Sequence, residues 1–255
     1  MADRRSPVPY GTPNFEWFMA IGSRTDDGPV HMINLMKYHE RAQYADGSDD
    51  GVSGKEADDR YAPVAVLREI GARVVLHADV DSQLDGTPTW DRIGIVEYPS
   101  RAEFLAMQQR PDFAKKHEHK AAGMKETIVM ASLPLPLPEV QTAEVEPDPA
   151  DPPMILMQVI RYTGPEGRDE MARHSALAAG PALELGIRPL AWYSVEATVV
   201  GDGRQWDEVR FNWYPRRSLF DTLIADPRHA EGREHRAKAV EESFVALLTP
   251  MINHF

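Results

Sequence analysis

The sequence contains no cysteine. Disulfides, thiolate nucleophiles and Cys-ligated zinc or iron–sulfur centres are therefore excluded, though this does not fix the compartment. Bases are scarce beside acids: 28 Lys and Arg face 40 Asp and Glu, for a net charge of −12. Nucleic acid is not an expected partner, because phosphate binding needs a concentrated basic surface. No apolar run approaches a membrane span, and the N-terminal MADRRSPVPYGTPNFEW lacks the apolar core of a signal peptide. A cytoplasmic protein without a membrane partner is the expectation. There is no GxGxxG after a strand, no GxxxxGK[ST] and no Gly-x-Ser-x-Gly elbow, which disfavours nucleotide-dependent and serine-hydrolase chemistry. No HxxxH or His–carboxylate cluster at metal spacing is present, so no metal is expected.

What the sequence does contain is a repeated pattern of short apolar runs and amphipathic stretches. Residues 1–29 read as a polar, proline-bearing arm followed by a short apolar helix. Thr12-Pro13 supplies its N-cap and N1 residues, and a turn cluster over 25–29 closes it. Val30 to Met36 is a strand buried on both faces, and residues 40–54 form a polar loop. A helix from Lys55 to Ile70 is stopped by Gly71, with Pro63 as a kink or late start. Strands at 74–80 and 91–98, helices at 100–123 and a strand at 126–130 complete a β-α-β-β-α-β order over residues 30–132. Residues 133–153 are rich in proline and acid, a semi-extended connection with little to pack. The same order then recurs over 154–255.

The halves align. Tyr98-Pro99 matches Tyr214-Pro215 at an offset of 116 residues, which also pairs Trp90 with Trp206, Phe104 with Phe220, Pro111 with Pro227 and His119 with His235. After small gaps Gly71 meets Gly186, and INLMKY from Ile33 meets MQVIRY from Met157. A duplicated unit explains this better than two unrelated domains. Pairing two such units would bury the uncovered face of each sheet, giving a pseudo-dimer in one chain, either monomeric or dimerising again.

The first half resembles the domain-of-unknown-function 1330 family of the dimeric α/β-barrel superfamily. The residues that carry the resemblance are DGPVHMINLMKY (Asp27–Tyr38), YADG (Tyr44–Gly47), SGKEA (Ser53–Ala57), Tyr61, WDRIGIVEYPSRAEFLAM (Trp90–Met107) and HEHKAAGM (His117–Met124). The second half is similar more loosely and lacks YADG and SGKEA. The resemblance implies an α+β fold, two tandem ferredoxin-like βαββαβ units forming an intramolecular dimeric α/β-barrel. The superfamily includes cofactor-free monooxygenases, lactone isomerases, polyketide cyclases and haem-binding enzymes, so fold alone does not select a chemistry.

Asn34 lies mid-strand in an apolar run, where a buried amide must be hydrogen-bonded; it either ties the sheet or orients a substrate carbonyl. Lys37, at the strand end, faces water or holds an anionic oxygen. Met32 and Met36 share that strand as apolar substrate contacts. The path from Tyr38 to Gly71 is 33 residues, against 24 from Tyr162 to Gly186. A loop retained in one copy suggests function, although its Asp, Ser and Gly also suit turns and a helix cap. On the functional reading Glu56 is the general base, Tyr61 and Tyr44 hydrogen-bond a substrate oxygen, and Asp46 and Ser53 bind substrate. His77, on the second strand, is the other proton-transfer candidate. The expected function is cofactor-free isomerase, lyase or cyclase chemistry on a carbonyl, enol or lactone of a small apolar or aromatic molecule, in a first-half pocket. Alternatives are a haem- or flavin-dependent monooxygenase-like oxidoreductase, with His119, His174 or His235 open as a haem ligand, and a binding protein without turnover.

Overall fold

The computed structural model describes residues 10–21, 27–48, 51–61 and 63–255. The part of the expected arm over 1–9, and the Thr25-Asp26 part of the turn cluster, lie outside the described residues. In chain order the elements are β1 (Thr12–Pro13), α1 (Phe15–Ile21), β2 (Val30–Tyr38), α2 (Gly54–Tyr61), α3 (Val64–Glu69), β3 (Arg73–Asp85), β4 (Arg92–Tyr98), α4 (Arg101–Gln108), α5 (Pro111–Gly123) and β5 (Met124–Leu135). They continue with β6 (Met154–Tyr162), α6 (Pro165–Glu184), β7 (Arg188–Gly201), β8 (Glu208–Tyr214), α7 (Leu219–Ala225), α8 (Pro227–Ala239) and β9 (Val240–Asn253).

Eight strands close into an antiparallel barrel in the order β7-β5-β2-β4-β3-β9-β6-β8, with β8 returning to β7 and the short β1 added on β7. Within the first half the order is β5-β2-β4-β3, and within the second it is β9-β6-β8-β7, the same relative sequence. Two seams join the halves, β3 to β9 and β5 to β7. Closure removes every free edge from the eight strands, which would otherwise present unpaired backbone groups.

Alternation along the strands decides what lies inside. Ile33 and Leu35 point inward with Ile93, Ile95, Ile155, Met157, Phe211 and Phe244. Trp90 and Trp206 close the same cluster, their rings 5.5 and 5.0 Å from Phe244. Eight strands make a barrel just wide enough for side chains to fill. The interior is accordingly a packed core rather than the apolar substrate pocket expected from the sequence. Outward-facing residues meet the helices, as Val30 and Met32 do against Trp17, Phe104 and Phe113. Room for a ligand therefore lies between the barrel wall and its helices.

Three local features differ from the sequence expectation. Thr12-Pro13 pairs with β7 instead of capping α1, and the cap is Asn14, whose Oδ1 accepts from Trp17 N at 3.1 Å. The single helix expected over 55–70 is two, α2 and α3, because proline at 63 cannot donate into an α-helical ladder. The proline-rich stretch is also less idle than its composition suggests: β5 runs on to Leu135, and Ala143 N donates to Leu183 O at 2.9 Å.

Candidate functional site

In the first half, Asn34, Gly94 and His77 stand in one row across β2, β4 and β3. They face outward, because their neighbours Ile33, Leu35, Ile93, Ile95, Leu76 and Ala78 face the barrel core. Asn34 Nδ2 donates to Met32 O at 3.0 Å, which satisfies the amide locally. Burial holds the His77 imidazole below its ordinary pKa, aided by the Arg92 charge. Tyr61 closes this layer from α2. Its ring meets Phe113 and His117 edge-on, and Lys120 Nζ lies 5.2 Å from its centroid. Burial raises the Tyr61 phenol and lowers the Lys120 ammonium. Met32 and Met36 are buried in the same layer, Met36 accepting a 3.8 Å contact from Tyr38 Oη.

The other expected site residues are placed differently. Glu56 is exposed and completes a capping box: its Oε2 accepts from Ser53 N and from Ser53 Oγ, both at 2.7 Å, while Ser53 Oγ accepts from Glu56 N at 3.2 Å. Asp46 is exposed and accepts from Ser48 N at 2.9 Å; hydrogen bonding by the Ser48 side chain, and then by its backbone, holds the carboxyl below the ordinary range. Tyr44 Oη lies 2.9 Å from His119 Nδ1 beside an open hollow of about 580 Å³. Lys37 Nζ donates to Thr89 Oγ1 at 3.2 Å. The structure thus gathers Asn34, His77, Tyr61, Met32 and Met36 into one packed layer. Glu56, Ser53, Asp46, Tyr44 and Lys37 lie outside that layer.

Sequence reasoning missed a buried charge cluster beside that layer. Arg92, only 2 % exposed, is 2.7 Å from Asp59, 3.0 Å from Asp79 and 3.5 Å from Asp58. Asp58 also accepts from Tyr38 Oη at 2.6 Å. The DDRY run over 58–61 was the available signal, since paired acids at a helix end next to a strand arginine suggest neutralisation.

The matching row in the second half is Gln158, Arg210 and Trp192. Here the space above the sheet is hollow. A cavity of about 930 Å³ lies between the sheet and the helices α6, α7 and α8, with Pro136–Val140 along one side. Its floor includes Leu156, Gln158, Trp192, Arg210, Asn212 and Tyr214; its helical walls include Met171, Ala179, Ala182, Phe220 and Ile224. The volume suits a small organic molecule. Small residues on α6 create it, where the first half fills the corresponding layer with Tyr61, Phe113 and His117.

His174 lines this cavity from α6. Its Nδ1 is 3.0 Å from Gly232 O, and a carbonyl can only accept, so Nδ1 carries the proton and Nε2 the lone pair in the neutral ring. A side chain at 232 could not sit there without pressing on the ring, because a Cβ would fall 3.0 Å from Nδ1. Burial drives the His174 pKa down to about 4, the Gly232 bond offsetting only part of it. His229 is 5.9 Å away by ring centroids, and its buried Nδ1 has no partner among the described residues. Trp192 Nε1 is likewise buried without one, and Arg210 Cζ lies 4.4 Å over the Trp192 ring. Arg210 is fixed through Glu208 and through Ser175 Oγ at 2.8 Å. Of the three histidines considered for haem, only His174 lines this cavity; His119 is tied to Tyr44, and His235 Nδ1 is 2.6 Å from Glu170. Among the described residues, no group of three His, Asp or Glu side chains is arranged to hold a metal ion, and no helix is long and apolar enough to cross a membrane.

This barrel is similar in fold to solved dimeric α/β-barrel proteins. A solved anthrone oxidase-like protein, 9% identical, matches over 89% of this chain and 92% of its own with a TM-score of 0.55, which shows the shared fold. Residues 53–132 match the family model described as Domain of unknown function (DUF1330). A protein of unknown function from Rhodopseudomonas palustris is 29% identical over 51% of this chain and 99% of its own, with a TM-score of 0.44. A mutant chlorite dismutase from Candidatus Nitrospira defluvii is 13% identical over 89% of this chain and 92% of its own, with a TM-score of 0.49. No curated protein matches this sequence. The cavity lies almost wholly beyond residue 132, outside the stretch matched by the family model.

Proposed function

We propose that this protein takes up a small organic molecule in the second-half cavity and moves a proton on it without an organic cofactor. The observation that carries this reading is the combination of an apolar-walled cavity of about 930 Å³ with a neutral His174 fixed in one tautomer at its wall. A base held in place by a backbone carbonyl needs no reorganisation before it accepts a proton. Arg210, held by Glu208 and Ser175, supplies positive charge on the floor for an oxygen that gains charge as the proton leaves. Substrates with an acidic C–H beside a carbonyl fit this arrangement, as do enols and lactones. The two halves are read as ferredoxin-like units from one duplication, supported by their common strand order and by the sequence match at an offset of 116 residues. The test is proton–deuterium exchange at the carbon next to the carbonyl of aromatic β-keto acids and lactones, followed by proton NMR in D2O. Exchange accelerated by the protein and lost in His174→Asn supports the reading. Exchange equal in the two proteins defeats it.

A second reading keeps the cavity and fills it with haem. It is favoured by one fact: His174 spends Nδ1 on Gly232 O, which leaves Nε2 as the nitrogen available to an iron. His174 would hold the group, in a cavity that Arg210 and Trp192 also line, and the haem would supply redox chemistry. Haemin added to the purified protein should then give a sharp Soret band that disappears in His174→Ala. An unchanged haemin spectrum discards this reading and leaves the first in place.

A further inference from the structure

The protein is strongly acidic, yet the second-half cavity is lined by Arg188, Arg210, Arg233 and Arg236. Asp85 is the only carboxylate among the described residues lining it, and it already accepts from Gly86 N at 2.9 Å and from Ser243 Oγ. Arg210 is paired with Glu208, and Arg236 feels the charge of Asp85 across Ser243. The side chains of Arg188 and Arg233 have no ion pair or hydrogen bond among the described residues, and Arg236 reaches only Ser243 Oγ, at 3.3 Å. Arg188 and Arg233 are exposed and keep their water, while Arg236 is half-buried; several guanidinium groups beside one carboxylate leave the cavity wall positively charged, which favours an anion.

The arrangement on α8 is directional. His229, Arg233 and Arg236 are spaced at i, i+4 and i+7, so they share one face of the helix, and all three line the cavity. His229 is 92 % buried with its Nδ1 unpartnered, an unsatisfied polar atom on the same stripe. The first half shows that the fold does not require this. At the matching positions stand Phe113, His117 and Lys120, packed around Tyr61. Arg73, which stands where Arg188 does, is paired with Glu97, and the second half has Trp213 in the place of that glutamate.

We propose that the cavity takes an organic anion, an apolar ring or chain bearing one acidic group, and that the acidic group seats against the α8 stripe of Arg233 and Arg236. This rests on the reading of the second-half cavity as the binding site and deepens it by naming the ligand class. The apolar body lies along the alanines of α6 and beside Phe220. The guanidinium pair provides forked donors suited to a carboxylate or sulfonate.

The test uses two fluorescent probes of similar body and different charge on the full-length protein: anilinonaphthalene sulfonate, an anion, and N-phenylnaphthylamine, which is neutral. The anion should bind at least about tenfold more tightly than the neutral probe, as expected for charge-assisted hydrogen bonds. The double variant Arg233→Gln/Arg236→Gln should lose that preference while still binding the neutral probe, which also reports that the cavity has folded. Ala179→Trp, which fills the cavity, should abolish binding of both. Equal affinity for the two probes, or an anion preference that survives loss of both arginines, overturns the inference while the cavity stands. Failure of both probes to bind, or binding indifferent to Ala179→Trp, removes the cavity as the site and the inference with it.

Discussion

Tyr38 Oη donates to Asp58 Oδ2 at 2.6 Å, and the same tyrosine position in the second half, Tyr162, donates to Glu208 Oε2 at 2.7 Å. The acceptors come from different places. Asp58 is supplied by helix α2, whereas Glu208 stands on β8 where the first half has Arg92. Each half thus keeps a buried tyrosine–carboxylate bond beside arginine, Arg92 in the first half and both Arg210 and Arg168 in the second, but the charge at the matched strand position is reversed. Tyr162→Phe should cost about 1–3 kcal/mol, the usual loss for a hydrogen bond to a charged group, measured by urea unfolding. A loss of only a few tenths of a kcal/mol would show that Arg210 and Arg168 satisfy Glu208 without the tyrosine.

Arg92 should matter more than any tyrosine. It is the only cation in direct contact with Asp58 and Asp59 among the described residues, and it also pairs with Asp79. Arg92→Met leaves buried negative charge uncompensated and should destabilise by about 3–5 kcal/mol. Chemical denaturation at neutral pH measures it. Adding Asp58→Asn should recover part of the loss if the account is right.

Stability should fall on acidification through the histidines. Burial depresses the folded-state pKa of His174 to about 4, below the unfolded value near 6.5. The unfolded chain therefore binds more protons between those values, so stability drops as pH falls from about 6.5 to about 4 and this contribution is flat outside that window. Its size is at most about 3 kcal/mol. His229, Arg210 and Arg236 add to the penalty on a charged His174. His174→Asn should flatten that portion of a denaturation-against-pH curve, and an unchanged slope would refute the assignment.

Glu56 is expected to contribute to stability through its capping box. Glu56→Ala should cost about 0.5–1 kcal/mol, because only one side of the reciprocal bond with Ser53 is lost. Thermal unfolding gives the cost. Binding of the neutral fluorescent probe should be unaltered, and a weakened affinity would return the first-half loop to consideration.

Gly54 is a point where backbones nearly touch. A Cβ there would lie 2.4 Å from Gly123 O and 2.6 Å from His39 O, so α2 can begin beside the end of α5 only with glycine at the contact. Gly54→Ala should destabilise by about 1–3 kcal/mol through overpacking, measured by calorimetry. Tolerance of alanine would mean that the two helices separate without cost.

The order of strands and helices was legible because the apolar periods are regular and the second half repeats the first. Boundaries were less so. β9 runs from Val240 to Asn253, well beyond the apolar run Phe244–Leu248, since its ends pair with neighbouring strands irrespective of their polarity. The candidate cavity was missed for a different reason. The conspicuous sequence feature is what the first half adds, the loop with Tyr44 and Ser53, whereas the hollow arises from what the second half leaves out. Its sequence trace is the ALAAG run over 176–180 together with Arg188, Arg210, Arg233 and Arg236, residues distant in the chain that only the closed barrel brings around one space.

The two seams of the barrel, β3 to β9 and β5 to β7, are built within one polypeptide. Two separate copies would have to accept every substitution twice, so a hollow in one would be a hollow in both. A single polypeptide removes that constraint. Tyr61, Phe113 and Lys120 fill the helix-covered layer of the first half, while the corresponding layer of the second half holds a cavity lined by arginine.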